Sequence, residues 1–206
     1  VDDAVLPGHR AGYSGLGALR HERQERNLFV PAYAGLNLEH ILDGTQQERT
    51  VLFEPRNAPM ELRVIDERTA ELYQPPTPHY RLESCQRFQL FENGIIELTF
   101  ECIPRSPTCQ HGYLRFFWAS YIDRPESLDI HFLGRPESQT AAPITWMRGV
   151  TPRHGELSTH RALDDDRRFA HVEPFPLELP FSFSPYRYAE PWYFGLCRGM
   201  AFAQLF

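Results

Sequence analysis

The sequence has no lysine: all 21 of its basic residues are arginine. That absence excludes every mechanism that needs an ε-amine. Gone are a Schiff base with pyridoxal or a carbonyl substrate, the lysine of a phosphate-binding loop or a protein kinase, and a Ser-x-x-Lys acyl-transfer site. Codon usage in a GC-rich genome accounts for the absence without any functional demand. Excess positive charge is missing too. With 21 basic and 27 acidic side chains the formal charge is −6. A nucleic-acid binder needs a basic face to release counterions, so no nucleic-acid partner is expected. No run of 18 apolar residues exists, so no membrane-spanning helix is expected. There is no His-Glu-x-x-His, no Gly-x-Ser-x-Gly, no EF-hand loop and no P-loop. Neither a cofactor nor a bound metal is therefore expected.

The 4 cysteines, Cys85, Cys102, Cys109 and Cys197, form no Cys-x-x-Cys pair and do not fit zinc-ribbon spacing. Cys102 and Cys109 flank a Pro-rich turn that a disulfide could close, and four small buried thiols are the commoner alternative. No Asn-x-Ser/Thr sequon occurs. The start, Val1-Asp2-Asp3, lacks a Met, a basic n-region and an apolar h-region. It is what a chain with its leader removed, or a piece of a longer chain, would show. The compartment stays open, with the cytoplasm favoured.

Proline and aromatic residues are abundant instead. The chain carries 18 Pro, 15 Phe, 9 Tyr and 3 Trp in 206 residues. Proline breaks long helices, and aromatic rings favour strands. Residues 1–30 read as an N-terminal arm. Within it Gly12 to Gly17 has the look of a phosphate loop but lacks the third spaced glycine, and Ala18–Asn27 suits one or two helical turns. Tyr33–Gly44, with apolar residues at 36, 38, 41 and 42, reads as a strand or a short helix closed by an Asp-Gly turn. From Thr50–Glu54 onward the β signal is steady. Met60–Ile65 and Thr69–Gln74 alternate on either side of a polar turn, as a hairpin does, with Met60, Leu62, Val64, Ala70 and Leu72 inward. Ser84–Phe91 and Ile95–Ile103 flank Asn93-Gly94, the strongest hairpin signal in the chain. Gly112–Ile122 is nearly continuous in apolar and aromatic residues, which suits a central strand covered on both faces. Leu128–Gly134 alternates again.

Residues 135–173 are the least regular, read as long loops with one short strand at Ile144–Met147. Phe175–Phe183 alternates through prolines in the manner of an edge strand. Trp192–Gly195 and Met200–Phe206 close the chain as a hairpin. The chain stops inside that strand, so more chain is expected beyond Phe206. The expectation is a single all-β domain over 1–206, a large antiparallel β-sandwich (supersandwich) with long loops and little helix.

The richest polar window is Gln74–Phe88. Its stiff Pro75-Pro76-Thr77-Pro78 segment delivers His79 and Tyr80 to the mouth of a strand. Glu83 and Arg87 share parity on that strand, with Cys85 between them. Carboxylate and guanidinium grip hydroxyls in forks, and aromatic rings stack on sugar faces. His79 and Glu83 could exchange protons near neutral pH. The plainer reading is a surface Glu83–Arg87 ion pair with a capping histidine. Glu97 and Glu101 lie on one strand face, about 13 Å apart at the strand rise. That is beyond the roughly 5–9.5 Å of a glycosidase pair. Asp129 and His131 give a further polar face, with Trp118 and Tyr121 as candidate stacking rings. Tyr33, Asn37, Glu39 and His40 form a fourth group. Glu39 and His40 are neighbours, so on a regular strand they point opposite ways.

The strand order resembles that of the galactose mutarotase-like group. So do the Pro-His segment before the Glu83/Arg87 strand, the Phe117-Trp118-Ala119-Ser120-Tyr121 strand and the closing Trp192-Tyr193-Phe194-Gly195…Phe206 hairpin. The resemblance implies a supersandwich with a carbohydrate cleft on one sheet and aldose epimerase-type isomerase chemistry, in which a His acts as acid on the ring oxygen and a Glu as base. It implies His79 and Glu83 as the catalytic pair, Arg87, Trp118, Tyr121 and His131 as sugar contacts, and a small-molecule carbohydrate as partner. The chain departs from the epimerase pattern. It has no Asn-His pair and no His-x-Tyr-Phe-Asn segment, and the Glu that pattern places near the C-terminus would fall beyond Phe206. Two other classes stay open: a non-catalytic β-sandwich interaction module, and a metal enzyme built on the 135–173 loops.

Overall fold

A computed structural model of the protein describes residues 14–31, 33–45, 48–107, 109–150, 156–175 and 179–206. The chain is all-β: of the described residues 44% are in strands and 4% are helical. It divides into two compact units, Val1–Tyr121 with His171–Glu173, and Ile122–Ala170 with Pro174–Phe206.

The first unit is built on a four-stranded antiparallel meander: β2 (Glu61–Val64), β3 (Thr69–Gln74), β4 (Leu82–Leu90) and β5 (Ile96–Pro104). Local turn chemistry sets its register. The Asp66 carboxylate accepts the Arg68 N–H at 2.8 Å, which closes the β2–β3 turn. Gly94, at φ +81°, and the Asn93 side-chain Oδ1, accepting the Ile95 N–H, close the loop between β4 and β5. Alternation then sorts β4. Leu82, Ser84, Gln86 and Phe88 are buried, while Glu83, Cys85, Arg87 and Gln89 face outward.

The inner face of this sheet meets a second, two-stranded sheet. There β1 (Asn37–Leu42) pairs antiparallel with β6 (Arg115–Ala119). The Phe100 ring of β5 stands edge-on to Phe116 at 4.9 Å and to Trp118 at 5.0 Å. Trp118 Nε1 donates to Gln86 Oε1 at 3.2 Å. Ile41, Tyr80 and Leu82 form the fully buried centre, with Val51, Cys102, Leu114 and Phe116 packed round it. Each such side chain contributes about 1.5–3 kcal/mol by leaving water.

Several local expectations change on this side. Thr50–Glu54 is not a strand: Arg49–Leu52 and Glu54–Asn57 are single helical turns, α1 and α2. The apolar run Val51–Phe53 fits either conformation, and Pro55 decides it by occupying the first turn of α2, where its missing N–H costs nothing. Ala18–Asn27 forms no helix. The Asn27 side chain instead binds the Leu19 N–H and the Gly17 carbonyl and folds the segment back on itself. Phe29 is fully buried, and Ser14 donates to Asn37 Oδ1 and the Leu38 carbonyl, so this part of the arm is core. The phosphate-loop reading falls partly on residues 12 and 13, outside the described residues. Gly112–Ile122 yields only β6, which among the described residues pairs with β1 alone. Leu62 and Val64 of edge strand β2 share the face of Leu72, yet they are 63% and 75% exposed where Leu72 is 8%. Parity set their face, and among the described residues it stays uncovered.

The second unit holds one six-stranded sheet. β7 (Ile130–Pro136) runs through its middle. One edge of β7 pairs with β8 (Thr145–Gly149). The other edge is shared, with β11 (Trp192–Cys197) at His131 and β10 (Phe183–Tyr188) from Gly134 onward. Gly134 is required there, because a Cβ would stand 2.1 Å from the Arg187 carbonyl oxygen. β12 (Met200–Leu205) pairs with β11, and β9 (Thr159–Ala162) pairs parallel with β10. The expected closing hairpin is present, with Arg198 and Gly199 at φ +54° and +74° in a two-residue turn. The strand expected at Ile144–Met147 is β8, whereas β9 was not foreseen. The edge strand expected over Phe175–Phe183 falls partly on residues 176–178, outside the described residues; the described part holds a 3₁₀ turn at Leu179–Phe181 before β10. Among the described residues no disulfide joins Cys102 to Cys109. Of the four thiols only Cys197 is fully buried.

Candidate functional site

The window around β4 presents its polar groups on two sides. Glu83 and Arg87 lie on the outer face of the meander, but they do not pair with each other. Glu83 accepts from Tyr73 Oη at 3.2 Å and from Arg105 Nε at 2.6 Å. Arg87 pairs with Glu71, its direct cross-strand neighbour, at 3.4 Å. Arg63 lies 4.0 Å over the Tyr73 ring and pairs with Glu61. This is a solvated lattice of alternating charge. His79 sits in the exposed turn before β4, its ring edge-on to Tyr80 at 4.8 Å. The turn is held from below: the buried Glu54 carboxylate accepts the backbone N–H groups of His79 and Tyr80. No hydrogen bond or ion pair joins His79 to Glu83. Trp118 belongs to the opposite face of the meander, through its bond to Gln86.

Tyr121 leads to a different cluster, in the interior of the first unit. Its hydroxyl donates to Glu39 Oε1 at 2.5 Å, and its ring packs on Tyr33 at 4.8 Å. The same carboxylate oxygen accepts from Arg56 Nη1 at 2.5 Å. Burial, and then the bond to Glu39, push the Tyr121 hydroxyl well above the usual phenol range. His40 joins from the neighbouring position. Its Nδ1 is 3.1 Å from the Leu52 carbonyl, and its Nε2 lies 3.9 Å from Glu39 Oε2. Its ring stands edge-on to Phe53 at 4.3 Å and tilted on Phe117 at 5.5 Å. Glu39, His40 and Arg56 are all under 5% exposed.

The expectation that Glu39 and His40 point apart assumed an unbroken strand. The ladder is broken: Leu38 faces Trp118 and His40 faces Phe117, so two residues of β1 advance against one of β6. Such a bulge re-aims the side chains around it and brings the two neighbours together. Sequence reading missed Arg56 entirely. Its only local cue was a charged residue directly after Phe53-Glu54-Pro55, inside a run otherwise rich in buried types.

His131 belongs to the second unit and faces an aromatic row. Its ring stacks on Phe194 at 5.2 Å and 28°. Phe194 and Trp192 lie near parallel at 6.5 Å. Trp146 stands edge-on to both, at 5.7 Å from Trp192 and 5.9 Å from Phe194. Strand parity explains the row. His131 pairs with Arg148 on one side and Phe194 on the other, so residues 131, 146, 148, 192 and 194 project from one face of β8, β7 and β11. Trp146 is 57% exposed. At the rim Arg148 Nε lies 3.6 Å from Asp129 Oδ2. On the far side of the sheet Phe132 packs edge-on to His160, whose imidazole is held below its ordinary pKa by burial.

Among the described residues no group of three or more His, Cys, Asp or Glu is placed to hold a metal ion, and no helix is long and apolar enough to cross a membrane. The fold and these sites define an all-β protein with one buried ionic cluster and one exposed aromatic sheet face. Set against protein families, curated proteins and solved structures, the chain matches none.

Proposed function

We propose that the protein binds carbohydrate, and that the sugar lies on the aromatic face of the second unit. The observation that carries this reading is the row Trp146, Trp192, Phe194 and His131, side by side on one sheet face with Trp146 open to solvent. Apolar ring faces suit the C–H faces of a pyranose. Asp129, Arg148 and His131 supply the acceptors and donors that orient hydroxyls. An exposed aromatic cluster with a polar rim is uncommon on a monomer and marks a binding surface.

Epimerase-type chemistry would add an acid and a base at the anomeric centre. His79 and Glu83 are the pair that the mutarotase-like resemblance suggests. Glu83 is held by Tyr73 and Arg105, which favours binding over catalysis. Calorimetry against a panel of mono- and oligosaccharides tests the proposal. Wild-type protein should bind at least one sugar. Trp146→Ala should weaken that binding by about 2 kcal/mol, the scale of truncating an aromatic anchor. No binding by any sugar sinks the reading. Polarimetry on the sugar that binds tests catalysis, and an unchanged mutarotation rate leaves a binding protein alone.

A second reading has its own observation. Leu205, 79% exposed, pairs directly with Trp192, and Leu196, 38% exposed, continues the same face. Apolar residues at the margin suit a protein partner in an interaction module. Light scattering separates the two: a mass that rises with concentration, and falls in Leu205→Asp, supports the partner reading.

A further inference from the structure

The buried ionic cluster of the first unit leaves one group unsatisfied. The Arg56 side chain is fully buried, and only Nη1 has an acceptor, Glu39 Oε1. Nε and Nη2 are buried with no hydrogen-bond partner. These two nitrogens lie on one edge of the guanidinium, so the orphaned donors form a single fork. A buried charged donor without an acceptor costs more than a neutral one, and folded proteins rarely leave one so. Among the described residues no acceptor reaches these two nitrogens. Phe53 lies under the guanidinium at 5.4 Å, and the His40 ring packs against Phe53. The Glu39 carboxylate is engaged at the other end by both Arg56 and Tyr121.

We infer that Arg56 is the anchor of an oxyanion site, and that a carboxylate or phosphate group takes the free fork with two parallel hydrogen bonds. The fork geometry matches two oxygens on one carbon or phosphorus, which a single water or a chloride does not. Glu39, bound at Nη1, leaves the Arg56–Glu39 pair neutral, and His40 Nε2 lies 3.9 Å from Glu39 Oε2. The bulge in β1 brings Glu39 and His40 together, and α2 delivers Arg56 to them. The site is independent of the aromatic face of the second unit and stands or falls without it.

The test reads Arg56 directly. In ¹⁵N-labelled protein the Arg56 Nε–H resonance is assigned through bonds from its backbone. Sodium phosphate, sodium acetate and sodium chloride are titrated at matched ionic strength. The expected result is a saturable shift of that resonance with phosphate, acetate or both, and none with chloride. A response to phosphate alone assigns a phosphorylated ligand, and to acetate alone a carboxylate ligand. Melting temperature should rise with the same anion, because a ligand that binds only the native state stabilises it. Arg56→Lys keeps the charge beside Glu39 but removes the fork, and should abolish that rise. A resonance that neither anion moves overturns the inference and leaves the fork to bound water, and one that chloride moves equally overturns it as non-specific anion binding. That measurement needs only the wild-type protein, so it decides the matter even if Arg56→Lys does not fold.

Discussion

Two carboxylate–guanidinium pairs in the first unit have nearly the same length and opposite settings. Glu39 and Arg56 meet at 2.5 Å with side chains 5% and 0% exposed. Glu83 and Arg105 meet at 2.6 Å with side chains 22% and 46% exposed. Local chemistry is the same, so the difference teaches what burial alone does. The outer pair competes with water for each of its bonds and gains little. The inner pair has given up its hydration, so each member depends on the other, and losing one leaves a bare charge in the interior.

The sharpest way to break this comparison is Glu39→Gln. It leaves the Arg56 charge buried without its counter-charge and should cost about 3–5 kcal/mol of stability. Urea unfolding measures it. A loss no greater than that of Glu83→Gln would show the two settings to be equivalent. Tyr121→Phe is the next step down. It removes one donor from the Glu39 carboxylate, a bond to a charged group worth roughly 1.5–3 kcal/mol. Its loss should depend on Glu39: in the Glu39→Gln background the same substitution should cost distinctly less, by a double-mutant cycle. Equal costs in both backgrounds would mean that the hydroxyl does not act through the carboxylate. Glu83→Gln is the contrasting case, expected to change stability by less than about 1 kcal/mol, and by less still in high salt.

The same contrast explains what could be read from the sequence. The outer face of the meander was legible because strand parity and turn residues act within a few positions. Asn93-Gly94 fixes a loop, and Glu83, Cys85 and Arg87 then fall on one side. Their partners were not legible. Arg87 prefers Glu71, directly opposed across β3, and Glu83 prefers Arg105, just past the end of β5 and diagonal to the directly paired Ile103, because cross-strand neighbours are nearer than a residue four along the same strand. The inner cluster was half visible, since Tyr33, Asn37, Glu39 and His40 stood out as polar residues in an apolar segment. What joins them, a bulge opposite Trp118 and an arginine from a helical turn, depends on pairing between segments far apart in the chain. The aromatic row of the second unit has the same character. Trp146, Trp192 and Phe194 sit on two strands separated in sequence, and only the ladder through His131 makes them neighbours. A signal was available in the spacing of Trp146 with Arg148 and of Trp192 with Phe194, two residues apart on strands that alternate.

The smallest expected effect lies with a third pair, which carries the comparison into the pH axis. Asp165 accepts from Arg167 Nε at 2.8 Å and Nη2 at 2.9 Å, an exposed fork within one turn of the second unit. The Arg167 side chain, then its backbone N–H, hold the Asp165 carboxyl down to about 2 from its ordinary 3.8. A carboxyl whose pKa is lower folded than unfolded stabilises the native state at any pH above the unfolded value. That contribution is lost as pH falls from near 3.8 through about 2. Arg167 is 75% exposed, so solvent screens the pair and the effect on stability is small even though the titration is displaced. Carboxyl ¹³C NMR of the native protein should therefore find Asp165 titrating well below an unfolded-peptide aspartate. Arg167→Ala should return it towards 3.8 while hardly changing the denaturation midpoint at pH 7. A normal Asp165 titration in the wild type would mean that the fork is not kept in solution. A large stability loss in Arg167→Ala would mean that exposure is a poor guide to what an ion pair contributes here, and would undo the contrast between Glu39 and Glu83 as well.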